Sequence, residues 1–148
     1  MRSLPAAFAA TLLFAQAAPG SCAPGHDPSK ACHAEFSATG PRVRADLVYD
    51  TLKVWCTTIP AKHTVVMKMR YKNPSTGVGA WTPVVTDLPV TTLPDAEGFT
   101  LTVHTGCHVG GSYQASADIT ATDAEGNRAG GHPEGGITTI NRAEECDQ

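Results

Sequence analysis

Charge is scarce in this chain. Only 17% of its 148 residues are Asp, Glu, Lys or Arg, against about 25% in ordinary globular domains. That excludes a disordered polyelectrolyte, a coiled coil and a nucleic-acid-binding arm. Aromatic residues are few as well, at 6%, so there is no basic tract interleaved with stacking platforms for nucleic acid. No run reaches the ~18 apolar residues of a membrane-spanning helix. C-x-x-C, H-E-x-x-H and G-x-S-x-G are all missing, which removes the common metal and serine-hydrolase signatures. The one Asn-x-Ser triplet, Asn73-Pro74-Ser75, is blocked as a glycosylation site by its proline.

Glycine and proline are plentiful, at 14 and 11 residues. That argues against a helical bundle and for one small domain of short elements. Five cysteines, an odd number, are the second marked feature.

The first segment is an address. Arg2 supplies a positive n-region, Leu4 to Ala15 an uncharged core of 12 residues, and Ala15-Gln16-Ala17 a small-x-small cleavage site. Residues 1–17 are therefore expected to be a signal peptide and residues 18–33 a Pro/Gly-rich linker. Residues 34–146 form the domain and 147–148 a tail. The rival address is a lipid anchor on Cys22, although Pro19 stands where lipoprotein signals place a branched aliphatic residue.

Charge is unevenly spread. Between Arg42 and Asn73, seven basic residues face only Asp46 and Asp50; from Pro74 onward, Arg128 and Arg142 face ten acidic residues. Two accounts fit: facing strands complement one another across a sheet, or the basic tract is a patch for an anionic surface.

Alternation announces the strands. In Thr64 to Asn73, Val65, Met67, Met69 and Tyr71 share one face, and Val66, Lys68, Arg70 and Lys72 the other. Ser112 to Thr122 and Phe99 to Cys107 repeat the pattern. Leu52, Val54 and Cys56 give a fourth inward face, with Leu47 and Tyr49 out of phase, so a bulge or break is expected near Asp50. Weaker strands are expected at 36–39, 80–86 and 137–140. Pro/Gly/Asp/Asn clusters at 73–77, 94–98 and 123–127 punctuate the pattern. About seven short strands imply an all-β antiparallel sandwich.

An exported chain meets an oxidising compartment, so its cysteines should pair. Cys56 and Cys107 both lie on inward strand faces, and their pairing is expected. Cys32 opens the first strand and Cys146 closes the last, suggesting Cys32–Cys146 as the second bridge. A local Cys22–Cys32 bridge competes with it.

The run Gly106-Cys107-His108-Val109-Gly110-Gly111-Ser112-Tyr113, leading into an alternating strand and then Asp123 to Gly126, resembles small secreted bacterial immunoglobulin-like proteins. In those a Cys, a Gly and an aromatic residue open a late strand. An earlier strand ends in a Cys matching Cys56, and a Trp matching Trp81 follows the middle hairpin. The likeness covers Phe36 to Cys146. It implies an immunoglobulin- or fibronectin-like sandwich and export, and no activity. The antibody pattern is absent, because Trp81 lies 25 residues after Cys56, too far to be the usual core Trp.

Chemistry-bearing groups are sparse. His104 and His108, four apart, would stand about 13 Å apart on a continuous strand, too far to share an ion unless Gly106 turns the chain and His132 or His26 joins them. Cys107 and His108 are neighbours and point oppositely. No Ser or Cys has a base in view, and no cofactor or metal is expected. The expected function is a secreted, monomeric, non-catalytic binding module for an extracellular macromolecule. Trp55, Lys68, Arg70 and Lys72 are its candidate surface. One alternative is a protease inhibitor, since Cys22-Ala23-Pro24-Gly25…Ala31-Cys32 resembles the tethered loop of subtilisin-inhibitor proteins, although here it precedes all the strands. The other is a secreted metal-binding protein.

Overall fold

The computed structural model describes residues 32–37, 39–73 and 81–148. The signal-peptide segment, most of the linker and Cys22 lie outside these residues. Nine strands follow in order: β1 (Cys32–Phe36), β2 (Arg42–Arg44), β3 (Leu47–Cys56), β4 (Lys62–Lys72), β5 (Thr82–Thr86), β6 (Phe99–Gly106), β7 (Gly111–Thr122), β8 (Arg128–Gly131) and β9 (Glu134–Ile140), before a 3-10 turn at Ala143–Glu145. No α-helix occurs among the described residues.

The strands form two antiparallel sheets. In the first, β3 is central: β6 pairs along one edge, while β1 and β2 share the other. In the second, the order is β5-β4-β7, and β8 and β9 share the outer edge of β7. Nine strands stand where about seven were expected because two edges are each divided between two short strands. Among the described residues the first strand starts at Cys32.

Alternation decides the packing. Val48, Leu52, Val54 and Val103 of the first sheet meet Val65, Met67, Met69, Tyr113, Ala115, Ala117 and Ile119 of the second in one buried core. At ~25 cal/mol per Å² of apolar surface removed from water, this core supplies the main favourable term for folding. Small side chains on β7, three of them alanines, let the bulkier β4 methionines interdigitate.

β3 contains no bulge near Asp50. Its burial alternates without a break from Val48 through Asp50, Leu52 and Val54 to Cys56. The apparent slip arose because a polar residue, Asp50, occupies an inward position, while apolar Leu47 and Tyr49 face out. The two-residue turn joining β2 to β3 places Ala45 and Asp46 at φ 50° and 63°, the left-handed geometry of a tight hairpin. The C-terminus supports it: the Ala45 N–H donates to the Gln148 carbonyl (2.7 Å) and the Asp46 N–H to the Cys146 carbonyl (3.2 Å).

The disulfides differ from the expected pairs. They are Cys32–Cys56, with Cα atoms 4.1 Å apart, and Cys107–Cys146, at 5.7 Å. Cys56 and Cys107 do stand beside adjacent strands. However, the antiparallel register sets Val54 opposite Phe99 and Leu47 opposite Gly106. Ten residues of β3 therefore separate the two cysteines, about 33 Å at ~3.3 Å per residue. Cys32 lies directly across from Cys56 in the ladder, which also removes the Cys32–Cys146 and Cys22–Cys32 alternatives. Cys146 does not end a strand; it follows the 3-10 turn at the far end of the first sheet. Each bridge fastens one end of β3's sheet.

Candidate binding surface

The basic stripe on β4 does not form an unpaired patch. Lys68 pairs with Asp118 at 2.5 Å, and Arg70 with Glu134 at 2.6 Å. Arg70 also donates to Gln114 (2.7 Å) and stands 5.8 Å from the Trp81 ring. The cross-sheet register makes this inevitable: Lys68 faces Ser116 and Val66 faces Asp118 on β7. The Lys68 ammonium, and His132 behind it, hold the Asp118 carboxyl below its usual range against the effect of burial. Lys72, opposite Ser112 at the end of the ladder, is half-buried. Two of the seven basic residues of the tract, Lys68 and Arg70, are thus complemented across the second sheet.

The same face holds Ser116, His132 and Asp118, residue types that invite a catalytic reading. His132 Nδ1 meets Asp118 Oδ1 at 2.6 Å, but Nε2 points to Glu134 at 3.5 Å. The Ser116 hydroxyl is fully buried and makes no hydrogen bond. The serine–histidine contact that nucleophilic catalysis requires is not made.

The outer face of the first sheet is built differently. Outward positions on β3 are Leu47, Tyr49, Thr51, Lys53 and Trp55. Register sets Arg44 beside Leu47, and Arg42 and His104 beside Tyr49. Thr102 lies opposite Thr51, Glu35 and Thr100 flank Lys53, and His33 lies beside Trp55. The half-buried Trp55 ring stacks on the His33 ring, with centroids 5.2 Å apart and planes 17° apart, and the Lys53 ammonium stands 5.5 Å from its centre. Arg42, Arg44 and Lys53 are exposed, and none makes a salt bridge among the described residues. Among the described residues at these register positions, Glu35, opposite Lys53, is the one carboxylate. Trp55 lies outward, as its strand phase requires, but on the opposite sheet from Lys68, Arg70 and Lys72. The four expected surface residues are therefore not one surface.

Sequence reasoning missed Arg42, Arg44, Tyr49 and Thr102. Arg42 and Arg44 were counted in the basic tract, but a three-residue strand is too short for alternation to orient them. His104 lies on the first sheet's outer face, whereas His132 lies on the second's. Among the described residues no group of three or more His, Cys, Asp or Glu is placed to hold a metal ion. His26 falls outside those residues, as does most of the inhibitor-like loop, whose Cys22–Cys32 tether is replaced by Cys32–Cys56.

Two titratable side chains are buried behind these faces. Asp50 is 2% exposed; its Oδ1 accepts from Ser37 Oγ (2.9 Å) and the Thr51 N–H (2.8 Å), and its Oδ2 has no partner. Burial raises the Asp50 carboxyl above its usual range, partly offset by Ser37, Thr51 and Arg42. His63, also 2% exposed, sits edge-on to Phe99. Burial lowers its pKa from 6.5, and the Thr92 backbone opposes part of that shift.

The two act in opposite directions. As pH falls below about 6.5, the unfolded chain protonates His63 before the native state does, so stability is lost from there downward. His63→Leu is expected to remove that loss, giving a urea midpoint that falls less between pH 7 and pH 5 than the wild type's. Native Asp50 holds its proton to higher pH than the unfolded carboxyl. Its contribution is full below the ordinary carboxylate value and lost as pH rises through the raised native one. Asp50→Asn, which keeps the Oδ1 acceptor, is expected to flatten this limb, so that its urea midpoint changes less than the wild type's as pH rises from about 4 to about 7.

No family model matches this chain, and no curated protein matches it. Among solved structures, it is similar to a protein designated ApaA from Bordetella pertussis, at 11% identity and a TM-score of 0.43, over 77% of this chain and 97% of that one. A likeness at that level carries no argument about what the present chain does.

Proposed function

We propose that this chain is an exported, non-catalytic binding module whose contact surface is the outer face of the β1/β2–β3–β6 sheet around Trp55. The observation that carries the reading is the difference between the two outer faces. One neutralises its own cations through Asp118 and Glu134; the other presents Arg42, Arg44 and Lys53 without ion pairs beside a half-exposed indole. Tryptophan, tyrosine and arginine are the side chains that contribute most when a surface is covered. Export is supported by two disulfides, which persist in oxidising compartments, and by the signal-like N-terminal sequence.

We further propose that the two sheets form an immunoglobulin- or fibronectin-like sandwich. Its support is the lane order, with the divided β1/β2 edge, β3 and β6 in one sheet and β5, β4, β7 and the divided β8/β9 edge in the other. Tyr113 adds to it. It opens β7, and its hydroxyl returns to the backbone at Gly106 and His108, as a tyrosine corner does in such sandwiches.

The test is retention of the disulfide-bonded protein on matrices carrying neutral, anionic and cationic extracellular polymers. Wild type should be retained by at least one class, and Trp55→Ala should lower that retention while Lys68→Ala does not. Equal retention of all three proteins on every matrix would overturn the reading.

A further inference from the structure

We infer that the partner of this face is a linear anionic polysaccharide, one bearing carboxylate or sulfate groups along an extended chain. The inference rests on the preceding reading of the face as a contact surface. Outward residues run along β3 from Leu47 to Trp55, eight steps or about 27 Å at ~3.4 Å per residue. That stripe accommodates several consecutive sugar units. Arg44 and Arg42 stand at one end and Lys53 at the other, so cationic groups are spaced along the stripe rather than gathered at one point. An arginine fork meets a carboxylate or sulfate through two parallel N–H bonds.

Between the cationic ends lie the hydroxyls of Thr51 and Thr102, and Thr100 stands beside Lys53. Thr51 and Thr102 approach each other at 3.4 Å, a pair able both to donate to and to accept from sugar hydroxyls. At the far end the half-exposed Trp55 ring, held by His33 and Lys53, adds apolar area to the contact. Because these neighbours already hold the ring, little side-chain freedom is lost on binding.

The face fits other anionic surfaces less well. A bilayer surface favours apolar side chains that insert, and Leu47, 42% exposed, is the one exposed large hydrophobic residue here. The others, Ile59, Val84, Leu88, Leu93, Val109 and Ile137, lie in loops or on the other sheet. Single-stranded nucleic acid wants a series of stacking rings, whereas Tyr49 and Trp55 are six residues apart on β3, about 20 Å along the strand.

Alginate and heparin serve as probes, with uncharged dextran, phosphatidylglycerol vesicles and poly(dT) as comparators, each titrated against the disulfide-bonded full chain. Alginate or heparin should bind, weaken as salt is raised, and bind the Arg42→Ala/Arg44→Ala/Lys53→Ala variant at least about tenfold more weakly. Lys68→Ala/Arg70→Ala should bind like the wild type. Circular dichroism shows whether the triple variant is folded, and single charge reversals at Arg44 or Lys53 replace it if it is not. Failure of both polysaccharides to bind overturns the inference, as does undiminished binding by the folded variants. Tighter binding of vesicles or poly(dT) overturns it in favour of those partners. Trp55-dependent binding of dextran equal to that of alginate removes the anionic class while leaving the contact face standing.

Discussion

Converting Cys107 and Cys146 to alanine is expected to cost the native state about 4 kcal/mol or more. The bridge spans 39 residues, and a loop of that length contributes about 4 kcal/mol by restricting the unfolded chain. Packing adds to this. Cys146 belongs to the core cluster, and its carbonyl accepts from Asp46, while that of Gln148 accepts from Ala45. Those bonds brace a turn whose Ala45 and Asp46 are held at positive φ, a conformation that costs a non-glycine residue about 1 kcal/mol or more. Releasing the C-terminal segment should therefore loosen the β2–β3 turn and the Cys107 corner together, since the Cys107 N–H donates to Asp46.

Removing Cys32–Cys56 should cost slightly less, about 3.5 kcal/mol for its 24-residue separation. The five-pair β1–β3 ladder remains to hold that end. Urea unfolding of both double-alanine variants beside the wild type measures the two losses. The Cys107/Cys146 variant should have the lower midpoint; equal or reversed midpoints would show that the turn and tail add nothing to the bridge. A domain of this size has about 5–15 kcal/mol in all, so a protein lacking both bridges should be largely unfolded.

The strands were legible in the sequence because alternation is a local property. Met67 and Met69 against Lys68 and Arg70 need no partner to declare a strand with one buried face. Disulfide partners were not legible. Phase places Cys56 and Cys107 toward the same side of a sheet, but not at which end, and the register that separates them depends on how β3 and β6 slide past each other. The surface was misread for a related reason. The carboxylates that neutralise Lys68 and Arg70 lie 50 and 64 residues further along the chain, so the stripe looked unpaired. Arg42 and Arg44, on the three-residue β2, gave no periodic signal at all. Asp50 misled in the other direction, as a buried acid in a place where the pattern called for an apolar residue.

Tyr113 is the position where one side chain joins most of these features, and its replacements should separate packing from hydrogen bonding. It is fully buried, and its ring lies 5.1 Å from that of Tyr71 at a tilt of 58°. Its hydroxyl donates to the Gly106 carbonyl (3.3 Å) and accepts from the His108 N–H (2.8 Å). That closes the turn between β6 and β7 beside the Cys107 bridge. Tyr113→Phe keeps the ring and strands both backbone groups, so it should cost about 2 kcal/mol. Tyr113→Ala also empties a ring-sized space between the sheets and should cost about 3–5 kcal/mol. Gly111 bears on how that space can relax. A Cβ there would come within 2.0 Å of the Tyr71 ring, so Tyr71 is already pressed against the β7 backbone and has little freedom to fill the gap. Urea midpoints rank the three proteins, and amide exchange at His108 reports the turn directly. In Tyr113→Phe that amide should lose protection while amides in the middle of β4 keep theirs. Uniform loss across both would mean that the phenol supports the whole sandwich rather than its corner.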